Sequence, residues 1–170
     1  SNPLIFLRGS KGSGKSTFAK MFALLSKKVG IKVKYFDASQ LYDTTSPSLP
    51  DLSDQQLVFI DNAFPILNTI IDLVKLSSNS TMHNSETKII AILGNTAFEV
   101  FRRECIYRGD PSYQNVISMP KLSTDDISLL LKKRFIACFK NRTEKIPLDW
   151  LNVVASYSYG NPGMALKIVE

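Results

Sequence analysis

Gly9-Ser10-Lys11-Gly12-Ser13-Gly14-Lys15-Ser16 is the stretch from which the rest of the chain is read. It satisfies a fixed spacing, Gly followed by four free positions and then Gly, Lys and Ser or Thr, which about one chain of this length in a hundred or fewer would meet by chance. Just before it, Pro3-Leu4-Ile5-Phe6-Leu7 is a short apolar run that reads as a buried strand, since a parallel strand covered on both faces need not alternate. Just after it, Phe18, Ala19, Phe22, Ala23 and Leu25 recur at helical spacing from Ser16 to about Lys28, and Gly30 supplies the stop. A strand, a glycine-rich loop and a helix in that order let backbone N–H groups turn inward, while the helix N-terminus adds a dipole that favours an anion.

This context makes the loop a polyphosphate cradle. Gly9, Lys11, Gly12, Ser13 and Gly14 form it, Lys15 is placed to reach the β- and γ-phosphates, Ser16 offers a hydroxyl to Mg²⁺, and Thr17 follows in the first helical turn. The expected ligands are ATP or ADP with Mg²⁺. Leu57-Val58-Phe59-Ile60 is a further apolar strand ending on Asp61, where a parallel sheet delivers a carboxylate beside such a loop; Asp61 is the expected organiser of Mg²⁺, with Ser16. Asn62 follows at a position where many ATPases carry an acid that polarises the attacking water. An amide cannot take that proton, so slow hydrolysis is expected. The fourth strand, Lys88 to Leu93, runs into Gly94-Asn95-Thr96, which would set a polar side chain, Asn95 or Thr96, beside the γ-phosphate.

Between those landmarks, Lys32 to Asp37 reads as the second strand and Thr44 to Pro50 as a loop. A helix is expected from Pro65 to Leu76, with Ile66, Leu67, Ile70, Ile71 and Val74 on one stripe, then a polar loop from Ser77 to Thr87 holding the single histidine, His83, which reads as solvated. A short helix from Ala97 to about Cys105 and a fifth strand from Asn115 to Met119 complete an alternating α/β order. After Pro120, Ser123-Thr124-Asp125-Asp126 opens a helix with Ile127, Leu130, Leu131 and Phe135 at helical spacing. Two more helices are expected, from Pro147 to about Tyr157 and from Pro162 onward, separated by Gly160-Asn161-Pro162-Gly163. The expected fold class is therefore α/β, a five-stranded parallel sheet with flanking helices over residues 1–120 and a small helical lid over 121–170. Trp150, Tyr157 and Tyr159 are expected in the core of that lid.

Composition narrows the class further. A chain of 170 residues with 44% hydrophobic and 21% charged residues can bury a core of its own. The net charge of +6 suits nucleic acid or an acidic partner, and Lys132, Lys133, Arg134, Lys140, Arg142 and Lys145 make the lid markedly basic. Cys105 and Cys138 lack disulfide or zinc spacing, which fits a reducing, cytoplasmic setting. No apolar run reaches the length of a membrane span, so no membrane association is expected.

Taken together, Gly9–Ser16, Leu57-Val58-Phe59-Ile60-Asp61-Asn62, Gly94-Asn95, the cluster Arg102-Arg103-Glu104-Cys105-Ile106-Tyr107-Arg108 and the Pro120 crossing into three helices resemble the AAA+ P-loop ATPases. Phe59-Ile60-Asp61-Asn62 with Ile92-Leu93-Gly94-Asn95, and Asp37-Ala38-Ser39-Gln40-Leu41, are most similar to the DnaA initiator group and its short homologue Hda. The resemblance implies a nucleotide-dependent switch in the control of DNA replication initiation, working with another, initiator-like AAA+ protein or with a sliding clamp. It assigns Asn95 to sensing the γ-phosphate, and Arg108, or Arg103, to a partner's nucleotide, the other reading of these arginines being a solvated or DNA-facing patch. The arginine that usually opens the last lid helix has no counterpart in Gly160-Asn161-Pro162-Gly163-Met164-Ala165, which with Asn62 points to a weak ATPase rather than a fast motor. The DnaA helix-turn-helix domain has no room in these residues, so a DNA contact would be sequence-independent. Other readings are a clamp-loader, origin-recognition or helicase-loader subunit, a P-loop kinase of small molecules, and an interaction module that keeps ADP.

Overall fold

A computed structural model describes residues 3–41, 52, 54–72, 87–138 and 148–169. The chain divides into two compact units. The first comprises Ser1–Gly9 and Lys15–Ser118, the second Ser10–Gly14 and Met119–Glu170.

The first unit is built on strands β1 (Leu4–Gly9), β2 (Val33–Asp37), β3 (Leu57–Asp61), β4 (Lys88–Gly94) and β5 (Val116–Ser118). They pair in the order β2-β3-β4-β1-β5, and every pairing is parallel. The apolar runs Leu4-Ile5-Phe6-Leu7, Leu57-Val58-Phe59-Ile60 and Ile89-Ile90-Ala91-Ile92-Leu93 therefore lie in the centre of the sheet, where neither face is open to water. Phe6, Phe59, Ile60, Ile89, Ile92 and Leu93 are fully buried. β5 is a three-residue edge strand; Val116 is 37% and Ile117 55% exposed, and such a short edge limits pairing with other chains. Asn115 extends its ladder by accepting from the Phe6 N–H at 2.8 Å and donating its amide to the Leu4 carbonyl at 3.1 Å.

Helix α1 (Lys15–Lys28) follows β1 and buries Ala19, Ala23 and Ser26. A single 3₁₀ turn, Phe64–Ile66, leads into α2, described over 67–72, and Ile66, Leu67, Ile70 and Ile71 are buried as the helical stripe requires. Val74, the rest of that helix, the loop with His83, and Thr44 to Pro50 lie outside the described residues. Helix α3 spans Asn95–Arg108, longer at both ends than the expected Ala97 to Cys105. Gly94, extended at φ −70° and ψ 156°, is its N-cap and offers no side-chain oxygen, so the start carries no sequence cue. Gly109 ends it in the left-handed conformation. Phe98 and Phe101 pack on Phe6 with ring centroids 5.8 and 5.0 Å apart, tying α3 to the sheet.

The second unit holds α4 (Thr124–Cys138), α5 (Leu148–Tyr157) and α6 (Pro162–Val169) around Ile127, Leu131, Leu151, Val154, Ala155 and Ala165. The start of α4 is the reciprocal cap that its sequence announces: the Asp126 N–H donates to Ser123 Oγ at 3.1 Å, and the Asp126 carboxylate accepts from the Ser123 hydroxyl at 2.6 Å. The expectation of three lid aromatics in the core is corrected. Trp150 is 39% exposed and edge-on to Phe135 at 5.7 Å, and Tyr157 and Tyr159 are 64% and 71% exposed. The buried stripe of α5 runs through Leu151, Val154 and Ala155, which leaves Tyr157 off it, and Tyr159 stands past the helix end at φ 51°.

Candidate functional site

Parallel pairing brings the carboxyl ends of the strands to one edge, where open α/β sheets bind ligands. Register then fixes which residues meet there in the first unit. Gly9 pairs with Gly94, so Asn95 continues from the residue beside the first glycine of the loop; Asp37 pairs with Asp61 at the ends of β2 and β3.

Lys15 and Ser16 open α1, and the Lys15 ammonium donates to the Gly9 carbonyl at 2.9 Å. Burial lowers the Lys15 pKa below the ordinary lysine value, and the Asp61 carboxylate partly opposes that shift. Asp61 itself is 4% exposed. Its Oδ1 accepts from the Asn62 N–H at 3.0 Å and its Oδ2 from the Tyr35 hydroxyl at 2.5 Å. Burial, followed by the bond to Asp61, pushes the Tyr35 phenol's pKa well up. The Asp61 carboxylate and the Ser16 hydroxyl are oxygen donors of the kind that a small hard cation takes. Among the described residues no group of three or more His, Cys, Asp or Glu side chains gathers as a separate metal site.

Asn62 adopts a left-handed conformation (φ 52°), and its amide donates to Asp37 Oδ1 at 2.9 Å. That bond, with the Ser39 N–H at 3.0 Å, holds the Asp37 carboxyl below its usual range. Asn95 and Thr96 are exposed in the first turn of α3. Within that helix Arg102 donates to Glu99 at 2.8 Å and Arg108 is paired with Glu104. Glu99 also takes Arg8 at 2.9 Å, and Arg8 lies over the Phe98 ring. Hydrogen bonds from Arg102 and then Arg8 keep the Glu99 carboxyl below its ordinary range. Arg103 and Arg108 are exposed, and Arg108 reaches outward only after leaving Glu104.

The remaining loop residues, Ser10–Gly14, pack within the second unit against the start of α6. Gly12 and Gly14 have φ of 81° and 89°, a conformation glycine adopts without cost. The Gly163 N–H donates to the Gly12 carbonyl at 2.9 Å, and the Asn161 amide donates to the Lys11 carbonyl at 2.8 Å. A Cβ on Gly163 would stand 2.6 Å from Gly12 Cα, so only glycine fits that approach. Ser13 Oγ is a buried side-chain oxygen with no hydrogen-bond partner among the described residues.

Two participants escaped sequence reasoning. Tyr35 sits in a strand whose composition gives no reason to look at it, although Tyr35 and Asp37 share a face by the two-residue period. The contact between the loop and α6 has no sequence signal beyond the glycines at 12 and 163 that it brings together.

No family model matches the chain, and no curated protein does. Solved structures do. The ORC2 protein of Aeropyrum pernix, in ADPNP and ADP complexes, superposes at a TM-score of 0.56 and 15% identity over 95% of this chain and 53% of that one. Domain III of the Thermotoga maritima replication initiation protein DnaA gives 0.59 and 14% over 98% and 73%. S. cerevisiae Hsp104 in complex with casein gives 0.63 and 14% over 99% and 33%. The chain spans about half the length of the ORC2 protein it matches. These likenesses show the fold: the chain has the fold of the AAA+ P-loop ATPases.

Proposed function

We propose that the chain is a nucleotide-binding switch of DNA replication initiation, similar in role to DnaA or Hda. It takes ATP or ADP with Mg²⁺, hydrolyses ATP slowly, and acts in the cytoplasm by assembling with another AAA+ protein or a sliding clamp. The observation that carries the nucleotide reading is Lys15, an ammonium in the P-loop position that donates to the Gly9 carbonyl at 2.9 Å and whose burial disfavours its charge. A bound polyphosphate compensates that desolvation, and the Ser13 hydroxyl is a donor such a ligand can use. Ser16 and Asp61 are the residues that would hold Mg²⁺, which would neutralise charge on the phosphates. Slow turnover is supported by Asn62, whose amide is engaged by Asp37 and cannot serve as a base. The likeness to ORC2 and DnaA supports the replication role, with Arg108 or Arg103 offered to a partner's nucleotide and the basic α4 residues Lys132, Lys133 and Arg134 to a sequence-independent DNA contact.

The test is turnover of labelled ATP by the purified protein, alone, with DNA, and with small nucleosides and metabolites as acceptors. Slow release of inorganic phosphate that rises on adding an AAA+ initiator supports the proposal. Rapid transfer to a small acceptor would replace it with the kinase reading.

A further inference from the structure

Asp61 has both carboxylate oxygens engaged in a place with almost no access to water. The Asn62 N–H holds Oδ1, and the Tyr35 hydroxyl, at 2.5 Å, holds Oδ2. The backbone bond leaves the carboxylate's second oxygen, among the described residues, to the tyrosine. Tyr35 is not loosely placed: it sits on β2 in register with Phe59 of β3, and the Lys20 ammonium lies 5.2 Å from its ring centroid. Its hydroxyl therefore occupies an oxygen of the carboxylate assigned above to Mg²⁺. A hydrogen bond to a buried carboxylate is stronger than one between neutral groups, and a cation that takes the same oxygen must first break it.

Building on the nucleotide reading, we propose that Tyr35 is a built-in competitor for the metal: its hydroxyl holds Asp61 Oδ2, is displaced when Mg²⁺ loads, and so sets the Mg²⁺ concentration at which the site fills. Removing the hydroxyl while keeping the ring frees Asp61 Oδ2 without opening a cavity. The expected effect is a fall of about three- to thirtyfold in the half-saturating Mg²⁺ concentration, the part of a charged hydrogen bond that rehydration of the phenol does not return.

The experiment measures fluorescent ADP binding to the wild-type chain, Tyr35→Phe and Tyr35→Leu, first in EDTA and then across a Mg²⁺ titration. It is paired with the near-ultraviolet difference spectrum that Mg²⁺ induces. Supporting results are a lower Mg²⁺ midpoint in both variants and a tyrosine difference signal in the wild type that Tyr35→Phe lacks. An unchanged or raised midpoint, or an identical difference spectrum in Tyr35→Phe, overturns the proposal while leaving the nucleotide site intact. No binding of ADP by any of the three proteins, in EDTA or in Mg²⁺, refutes the nucleotide reading and the competitor with it.

Discussion

Gly163→Ala sets two physical rules against each other. Position 163 lies in the first turn of α6, where alanine is the better helix former by about 1 kcal/mol, so local propensity predicts a more stable protein. Packing predicts the reverse. The new Cβ would stand 2.6 Å from Gly12 Cα, 2.9 Å from its carbonyl oxygen and 3.2 Å from its carbonyl carbon, all backbone atoms that cannot rotate away. Restoring an ordinary carbon–carbon contact of about 3.5–4.0 Å requires loop and helix to separate by about 1 Å. The Gly163 N–H to Gly12 carbonyl bond, now 2.9 Å, would then exceed hydrogen-bonding range, and the Asn161 to Lys11 bond of 2.8 Å lies on the same contact. At about 0.5–1.5 kcal/mol each, the two bonds are together worth about 1–3 kcal/mol, which outweighs the propensity gain by about 1 kcal/mol at the centre of the range. The assay is thermal unfolding followed by circular dichroism, where that difference lowers the midpoint by about 2–4 °C for a chain of this size. Asn161→Ala, which removes the bond to Lys11 together with the cap on the Met164 N–H and adds no bulk, should lower it as well. A midpoint for Gly163→Ala equal to or above the wild type would show that α6 and the loop do not approach as described.

The other expectations concern charge, core and cap. Because phosphate binding favours the charged form of Lys15 and burial lowers its pKa, nucleotide affinity should fall as pH rises through a range below the ordinary lysine value of 10.5; Lys15→Arg, which stays charged, should flatten that decline in a fluorescence titration. Phe98→Ala should cost about 3–5 kcal/mol in urea unfolding, since the ring is 1% exposed and packs on Phe6 and Phe101, whereas Val100→Ala on the exposed face of the same helix should stay within about 0.5 kcal/mol of the wild type. Ser123→Ala removes the hydroxyl that caps α4 and should lower stability by about 0.5–2 kcal/mol, while an unchanged unfolding curve would rule out that cap as a contributor.

Much of this fold is legible in the residues because its signals are local. Four apolar residues ending on Asp61 state both a buried strand and its carboxyl end, and Ser123 with Asp126 state a helix start, because each signal lies within a few residues. The start of α3 is not legible, since the backbone turns at Gly94 without a capping side chain and places Asn95, a residue that favours caps, inside the helix instead. The edge position of β5 depends on strand order rather than on Val116 and Ile117, whose composition fits a buried strand equally well. In the same way, the loop residues and Asp61 are readable as a motif, but the Tyr35 hydroxyl at Asp61 comes from β2 and β3 lying side by side, and Asn62 turning to Asp37 comes from their register. Exposed Tyr157 and Tyr159 show the complementary error: aromatic composition suggests a core, but the helical stripe decides which side chains reach it.

The central claim is that Gly9–Ser16 binds nucleotide through Lys15, and the direct measurement is a titration of fluorescent ADP and ATP into the wild-type chain and Lys15→Ala. Loss of the charged contact to phosphate should weaken binding by about ten- to a hundredfold while the unfolding midpoint without nucleotide stays the same or rises, because a desolvated ammonium has been removed. Equal affinity for the two proteins, or no binding by the wild type, would contradict the account.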